Sequence, residues 1–176
     1  MSGTGACFSY TINNGQLFAL RNVYSQMFLS ARQDPYLQPT PAIQEDTSPS
    51  DPNVQFTYTS SRQIVNPGSQ LCLDDLDHGY SAIDSTNDYL AFTTCKTPIS
   101  FTQQFAHSPE YLWIVNANNL FDKCLDGNYA FPHIFLYTCP YGATDHQWEV
   151  VQVCPPGNKS IDYLSFRLNR LQALTR

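Results

Sequence analysis

Residues 124–148 read CLDGNYAFPHIFLYTCPYGATDHQW. Cys124 and Cys139 bracket a short loop. Asp126 follows the first cysteine by two positions, Tyr137 precedes the second by two, and Asp145-His146-Gln147-Trp148 closes the run. A carboxylate, an aromatic face and hydrogen-bonding groups on a small cross-linked loop suit a polar ligand better than they suit a covalent mechanism. The stretch recurs around Cys72-Leu73-Asp74, with Cys95 and Thr102-Gln103-Gln104-Phe105 behind it, and in worn form around Phe28-Leu29-Ser30.

Working outward from these copies, each is entered by an apolar residue, a spacer and an asparagine: Leu20 to Asn22, Ile64 to Asn66, Ile114 to Asn116. Each ends in an aromatic after a polar run: Phe56, Phe105 and Trp148. The intervals from aromatic to next asparagine are nearly equal (56 to 66, 105 to 116), whereas those from asparagine to aromatic vary. Constant short intervals separated by variable ones describe strands held in register and loops that differ. The unit is about 44 to 50 residues, a repeat length that points to an array of like parts. Tyr, Phe, Thr and Val in short runs, with scattered proline and glycine, predict about four short strands per unit. Three units, 8–58, 59–107 and 108–153, are expected to close into an all-β barrel with pseudo-threefold symmetry, which leaves no exposed edge. The closing aromatics would be equivalent core residues. The segment 39–53 of the first unit reads as a polar, proline-rich loop.

Past Cys154 the pattern changes. Pro155-Pro156-Gly157 is a break, and Ile161, Leu164, Leu168 and Leu171 then fall at helical spacing. The tail 155–176 is therefore expected to form an amphipathic helix, packed on its own barrel or offered to a second copy as a homo-oligomer contact. Its cations Lys159, Arg167, Arg170 and Arg176 make it basic, so the body is more acidic than the net charge of -6 implies. An acidic body repels phosphate, which argues against nucleic acid or anionic lipid as the ligand and not against a neutral sugar. No apolar run is long enough for a transmembrane helix, so no membrane insertion is expected.

Six cysteines, none in a CxxC pair, make a zinc site a poor reading. The repeats couple Cys72 with Cys95 and Cys124 with Cys139, leaving Cys7 and Cys154 near the ends of the body. Full pairing implies secretion into an oxidising compartment. Six free thiols in a cytoplasmic protein are the runner-up, because Met1 is followed by no apolar signal region. Asn158-Lys159-Ser160 is a glycosylation sequon, consistent with secretion. His78, His107 and His133 lie far apart and read as surface residues; no metal site and no cofactor is expected.

The Cys-Leu-Asp triplets at 72–74 and 124–126, the coupled cysteines and the closers at 103–105 and 146–148 resemble the ricin B-type lectin family, over about 15–153. That resemblance implies a β-trefoil over 1–154 and one sugar site per unit. The aspartate would accept from vicinal hydroxyls, an aromatic two before the second cysteine would stack on the pyranose, and a polar residue three before the closing aromatic would complete the site. A sugar has an apolar CH face and a hydroxyl rim, so a ring and charged acceptors suit it. The third unit matches on Asp126 and Tyr137, with Asp145 at the polar position and His146 filling the slot beside it. The second keeps Asp74 but has Thr93 at the ring position and Thr102 at the polar one, unless Tyr80 or Tyr89 supplies a ring. Ser30 leaves the first without a site.

Two rivals stand beside a glycan-binding lectin. An enzyme is disfavoured: no Gly-x-Ser-x-Gly, P-loop, HExxH or dinucleotide fingerprint is present, although acids such as Asp74, Asp75 and Asp77 could serve a glycosidase. A trefoil that binds proteins, such as a protease inhibitor, is the second, with the 39–53 segment as its contact.

Overall fold

The computed structural model describes residues 6–9, 12–33, 36, 39–76, 88–118, 123–127 and 132–153, excepting the side chains of 6–9, 88, 89 and 153. The expected Cys7–Cys154 bond, the Asn158 sequon, His78, Tyr80, the Tyr89 ring and the tail helix lie outside these residues. The strands are β1 Ala6–Ser9, β2 Leu17–Asn22, β3 Phe28–Ser30, β4 Thr40–Pro41, β5 Ile43–Glu45, β6 Phe56–Tyr58, β7 Ile64–Asn66, β8 Leu71–Asp75, β9 Asp88–Thr94, β10 Phe105–Ser108, β11 Trp113–Asn116, β12 Lys123–Asp126, β13 Phe135–Thr138 and β14 Trp148–Val153. They form one barrel-like, 14-stranded sheet whose ladders are antiparallel. Single 3-10 turns at Pro52–Val54, Phe101–Gln103 and Thr144–His146 precede β6, β10 and β14.

Three hairpins share one register. Thr57 faces Val65, Ala106 faces Val115, and Glu149 faces Arg21. The third is made from distant parts of the body, β14 against β2. The Arg21–Glu149 pair there is also an ion pair at 2.6 Å. Below the hairpins, Phe56, Phe105 and Trp148 are fully buried in one core with Leu20, Ile64 and Ile114 and with Leu29, Leu73 and Leu125. These are three equivalent residues at each of three levels, and burying each is worth roughly 1.5–3 kcal/mol. The Trp148 indole nitrogen donates to the Leu125 carbonyl at 3.0 Å, which lets its polar edge enter the core.

The entry asparagines join neighbouring parts of the barrel. Asn22 Oδ1 accepts from the amides of Tyr24 and Ser25, and its Nδ2 donates to Asp145 O. Asn66 Oδ1 accepts from Ser69 N, and its Nδ2 donates to Pro52 O and Gln55 O. Asn116 Oδ1 accepts from Asn118 N, and its Nδ2 donates to Thr102 O. Each amide thus caps its own turn and holds the preceding 3-10 turn. Asparagine carries both an acceptor and a donor on one short side chain. Asn116→Ala is expected to destabilise the domain by about 3 kcal/mol, because it strips partners from buried backbone groups; urea unfolding of the variant checks this.

Two expectations are corrected. The 39–53 segment is not a free loop. It contains β4 and β5, and Ala42 between them is fully buried, donating to Leu90 O and accepting from Ile134 N. Apolar Ala42 and Ile43 anchor a segment that its prolines disguise, and Pro41 is tolerated because β4 is a two-residue strand. His107 is not a surface residue either. It lies half-buried on β10 opposite Ile114, its Nε2 has no partner, and burial pushes its pKa down to about 4. The unfolded chain therefore binds more protons between about pH 6.5 and 4, so stability is full above that window and falls as pH drops through it. Urea unfolding at pH 7 and pH 4.5 should differ by about 2 kcal/mol more in the wild type than in His107→Leu.

The disulfides Cys72–Cys95 and Cys124–Cys139 are formed, with Cα separations of 5.0 and 5.2 Å. Closing the 15-residue loop of the second is worth about 3 kcal/mol in the chain-entropy model. Bonds of this kind belong to an oxidising, extracellular setting.

Candidate functional site

In the third copy, β12 and β13 pair with Cys124 opposite Tyr137 and Asp126 opposite Phe135. The Cys124–Cys139 bond pins the end of this hairpin. Tyr137 is 49% exposed. Directly after Asp126, Gly127 donates to Asp145 O at 2.9 Å, which ties the end of β12 to the 144–146 turn. A Cβ at Gly127 would lie 2.6 Å from Asn22 Nδ2, so only glycine lets the backbone pass here.

This tie brings four side chains together. His146 is only 4% exposed. Its Nδ1 sits 2.9 Å from Asp145 Oδ1, its Nε2 lies 3.9 Å from Asp126 Oδ2, and its ring centroid is 6.1 Å from that of Tyr137. The Asp145 contact takes up Nδ1, which leaves Nε2 as the open ring nitrogen. Neither His146 Nε2 nor Asp126 Oδ1 has a hydrogen-bond partner, although both atoms are buried. Burial pushes the Asp126 carboxyl above its ordinary value and the Asp145 charge adds to this, with His146 pulling the other way. Two carboxylates and an imidazole therefore converge beneath a half-exposed ring.

The second copy contains the same parts in a closed state. Asp74 is fully buried. Its carboxylate accepts from Thr93 Oγ1 at 2.6 Å, Gln103 Nε2 at 3.1 Å and the Lys96 ammonium at 2.9 Å. Burial works to raise its pKa, but the bonds from Thr93, Lys96, Thr102 and Gln103 outweigh this and hold it below the usual carboxylate range. Lys96 Nζ also reaches Thr102 Oγ1 at 3.0 Å, so a cation occupies the space between Asp74 and Thr102. Gln103 takes the place that His146 has in the third copy, two before the closing aromatic.

In the first copy Ser30 is buried and donates to Glu45 Oε2 at 2.7 Å. Glu45 faces Phe28 as Tyr137 faces Cys124 and Thr93 faces Cys72. Arg32 bonds to Glu45 and reaches Asp51 at 3.2 Å, so this copy is closed by ion pairs. An open cleft of about 660 Å³ beside it is lined by residues including Arg32, Asn53 and Ser69, and it does not include Tyr137.

Lys96 and Arg32, which neutralise an acid, and Gln103, which donates an amide, were missed because they stand 22, 13 and 29 residues from the acids they meet. A second aromatic group was also missed. Tyr111 stacks on Trp113 with centroids 4.6 Å apart, and Tyr141, 82% exposed, meets both at 5.7 Å. Alternate positions in one hairpin, plus a tyrosine just past Cys139, could have announced it.

No protein-family model matches the sequence, and no curated protein is similar to it in sequence. Solved structures are similar. The designed threefold-symmetric protein ThreeFoil superposes with a TM-score of 0.61 at 18% identity, over 77% of this chain and 98% of that one. A non-toxic homologue of type II RIPs from Momordica charantia, solved in complex with α-methyl-D-galactoside, gives 0.57 at 15% identity, over 76% of this chain and 47% of that one. The agglutinin from Abrus precatorius gives 0.59 at 13% identity, over 82% of this chain and 50% of that one. In several neighbours, including GalNAc-T7, the chain spans half of the matched protein or less. These neighbours are ricin B-type lectin domains, and the chain shares their β-trefoil fold.

Proposed function

We propose that this ricin B-type β-trefoil is a secreted, glycan-binding lectin module whose site is the face formed by Asp126, Tyr137, Asp145 and His146. The observation that carries the reading is the half-exposed Tyr137 ring beside the partly exposed carboxylates of Asp126 and Asp145. A pyranose on the ring brings its CH face to an aromatic surface and its vicinal hydroxyls, which donate, to those carboxylates. The galactoside-bound neighbour from Momordica charantia supports a sugar as the ligand class. Asp145 accepts and cannot donate, so hydroxyl-rich ligands are favoured over ligands that only accept.

Asp74 and Thr102, the corresponding pair of the second copy, serve the fold in this reading, since Lys96 occupies the space between them. The domain comprises 1–154 and the tail 155–176 is an appendage to it. One shallow site desolvates few groups, so single-site affinity is on the order of 0.1–1 mM, and useful avidity comes from multivalent glycoproteins or self-association. A glycan array with wild type and Tyr137→Ala tests the reading: specific signals from the wild type and none from the folded variant are expected, and equal signals from both would overturn it.

The protein-binding alternative loses ground because β4 and β5 hold the 39–53 segment on the barrel. An enzyme is disfavoured by the lectin character of the neighbouring domains, although some of these lie within enzymes such as the endo-β-galactosidase of Clostridium perfringens.

A further inference from the structure

We propose that Asp126 and His146, with Asp145 orienting the imidazole, bind a divalent transition-metal ion, with the solvent side of the ion left open for hydroxyl ligands. One donor atom from each residue lies within 4.8 Å of the other two. Three acidic or imidazole groups near one another are common and would not carry this alone. The decisive feature is His146. Its side chain is 5% exposed, its Nδ1 is engaged by Asp145, and its Nε2 points without a partner toward Asp126 Oδ2 at 3.9 Å. Nε2 and the second Asp126 oxygen are both buried and unpartnered. A cation between the two residues gives both a partner at once.

The arrangement is that of a metal-bound imidazole oriented from behind by a carboxylate. In that role Asp145 orients the imidazole from behind, and Asp126 and His146 supply the protein's ligands to the ion. An imidazole with carboxylates suits zinc and its first-row neighbours better than calcium or magnesium, which prefer all-oxygen shells. Ligands on one zinc ion stand about 3.3 Å apart, given bonds of about 2.0–2.2 Å. Closing the Nε2 to Oδ2 gap to that value takes a small rotation of the Asp126 side chain, which is 15% exposed. The second copy shows the same position neutralised differently, by the ammonium of Lys96 on Asp74. Cys139 and Pro140 follow Thr138 where Cys95 and Lys96 follow Thr94, so proline stands at the lysine's place and no built-in cation reaches Asp126 by that route.

The test is a calorimetric titration of the whole, EDTA-treated chain with ZnCl2 at pH 7.5, without sugar, with CaCl2 as comparison. One zinc per chain is expected, with Kd on the order of 1–100 µM. Asp126→Asn and His146→Gln are each expected to weaken it at least tenfold, while His133→Gln leaves it unchanged. Glutamine at 146 copies the buried Gln103 of the second copy. If that variant nevertheless fails to fold, the near-isosteric Asp126→Asn still decides. No zinc binding at 1 mM, or equal binding by wild type and Asp126→Asn, overturns the proposal. Glycan binding that persists in EDTA with no zinc uptake removes the metal and leaves the lectin reading standing. Zinc uptake without glycan binding does the reverse.

Discussion

Asp74→Ala is expected to destabilise the domain by about 3 kcal/mol at pH 7, read as a shift in urea midpoint at unchanged slope. The variant removes the fully buried partner of the Lys96 ammonium and leaves Thr93 and Gln103 with donors aimed at nothing. Breaking a buried pair from one side typically costs about 3–5 kcal/mol, and the low end applies because Lys96 is partly exposed and can turn to water. The pH dependence has a definite sign. The folded state holds the Asp74 carboxyl below its ordinary value of 3.8. Its contribution is therefore present above about pH 4 and is lost as pH falls through the folded value. Wild type and variant should converge in stability toward pH 2–3; a gap that persists there would show that packing, not charge, is what the variant lost.

Asp126→Asn is expected to do the opposite to stability while weakening glycan binding. Burial and the Asp145 charge raise the Asp126 carboxyl above its ordinary value, so the ionised form costs the fold stability once pH rises through the folded value. A neutral amide of the same shape relieves this, and the melting temperature at pH 7 is expected to stay level or rise. Binding is expected to weaken at least tenfold, because a charge-assisted acceptor is replaced by an amide. Tyr137→Ala should lose binding to a similar degree through the missing stack, with little effect on melting, since the ring is half in solvent. Two aspartates in identical Cys-Leu-Asp triplets thus respond in opposite directions. A destabilised Asp126→Asn that still binds glycans would assign Asp126 to the fold and remove the site.

Much of the barrel was legible from single residues. Asn22, Asn66 and Asn116 stood at matching places because each amide satisfies a turn and a neighbouring 3-10 turn together, and few side chains can do both. Phe56, Phe105 and Trp148 stood out because the centre of the barrel needs one large apolar group from each third. The 39–53 segment was misread because two short strands, β4 and β5, hold too few residues for alternation to show, and what defines them is pairing with distant β9 and β3. His107 was misread for a related reason: a single polar residue on a strand says nothing of what packs over it.

The triplets alone could not say which acid is open. Asp74 and Asp126 are the same letter in the same motif, and the difference between them comes from residues that approach along separate paths. Lys96 neutralises Asp74 and Gln103 donates to it, whereas Asp126 meets an imidazole already committed to Asp145. The sequence by itself determined most of the strands, the repeated asparagines and the coupled cysteines, because those show in local pattern and in a repeat visible in the letters. Which carboxylate was left wanting a donor was decided by the tertiary structure, because charge compensation depends on distances across the barrel that no spacing along the chain encodes.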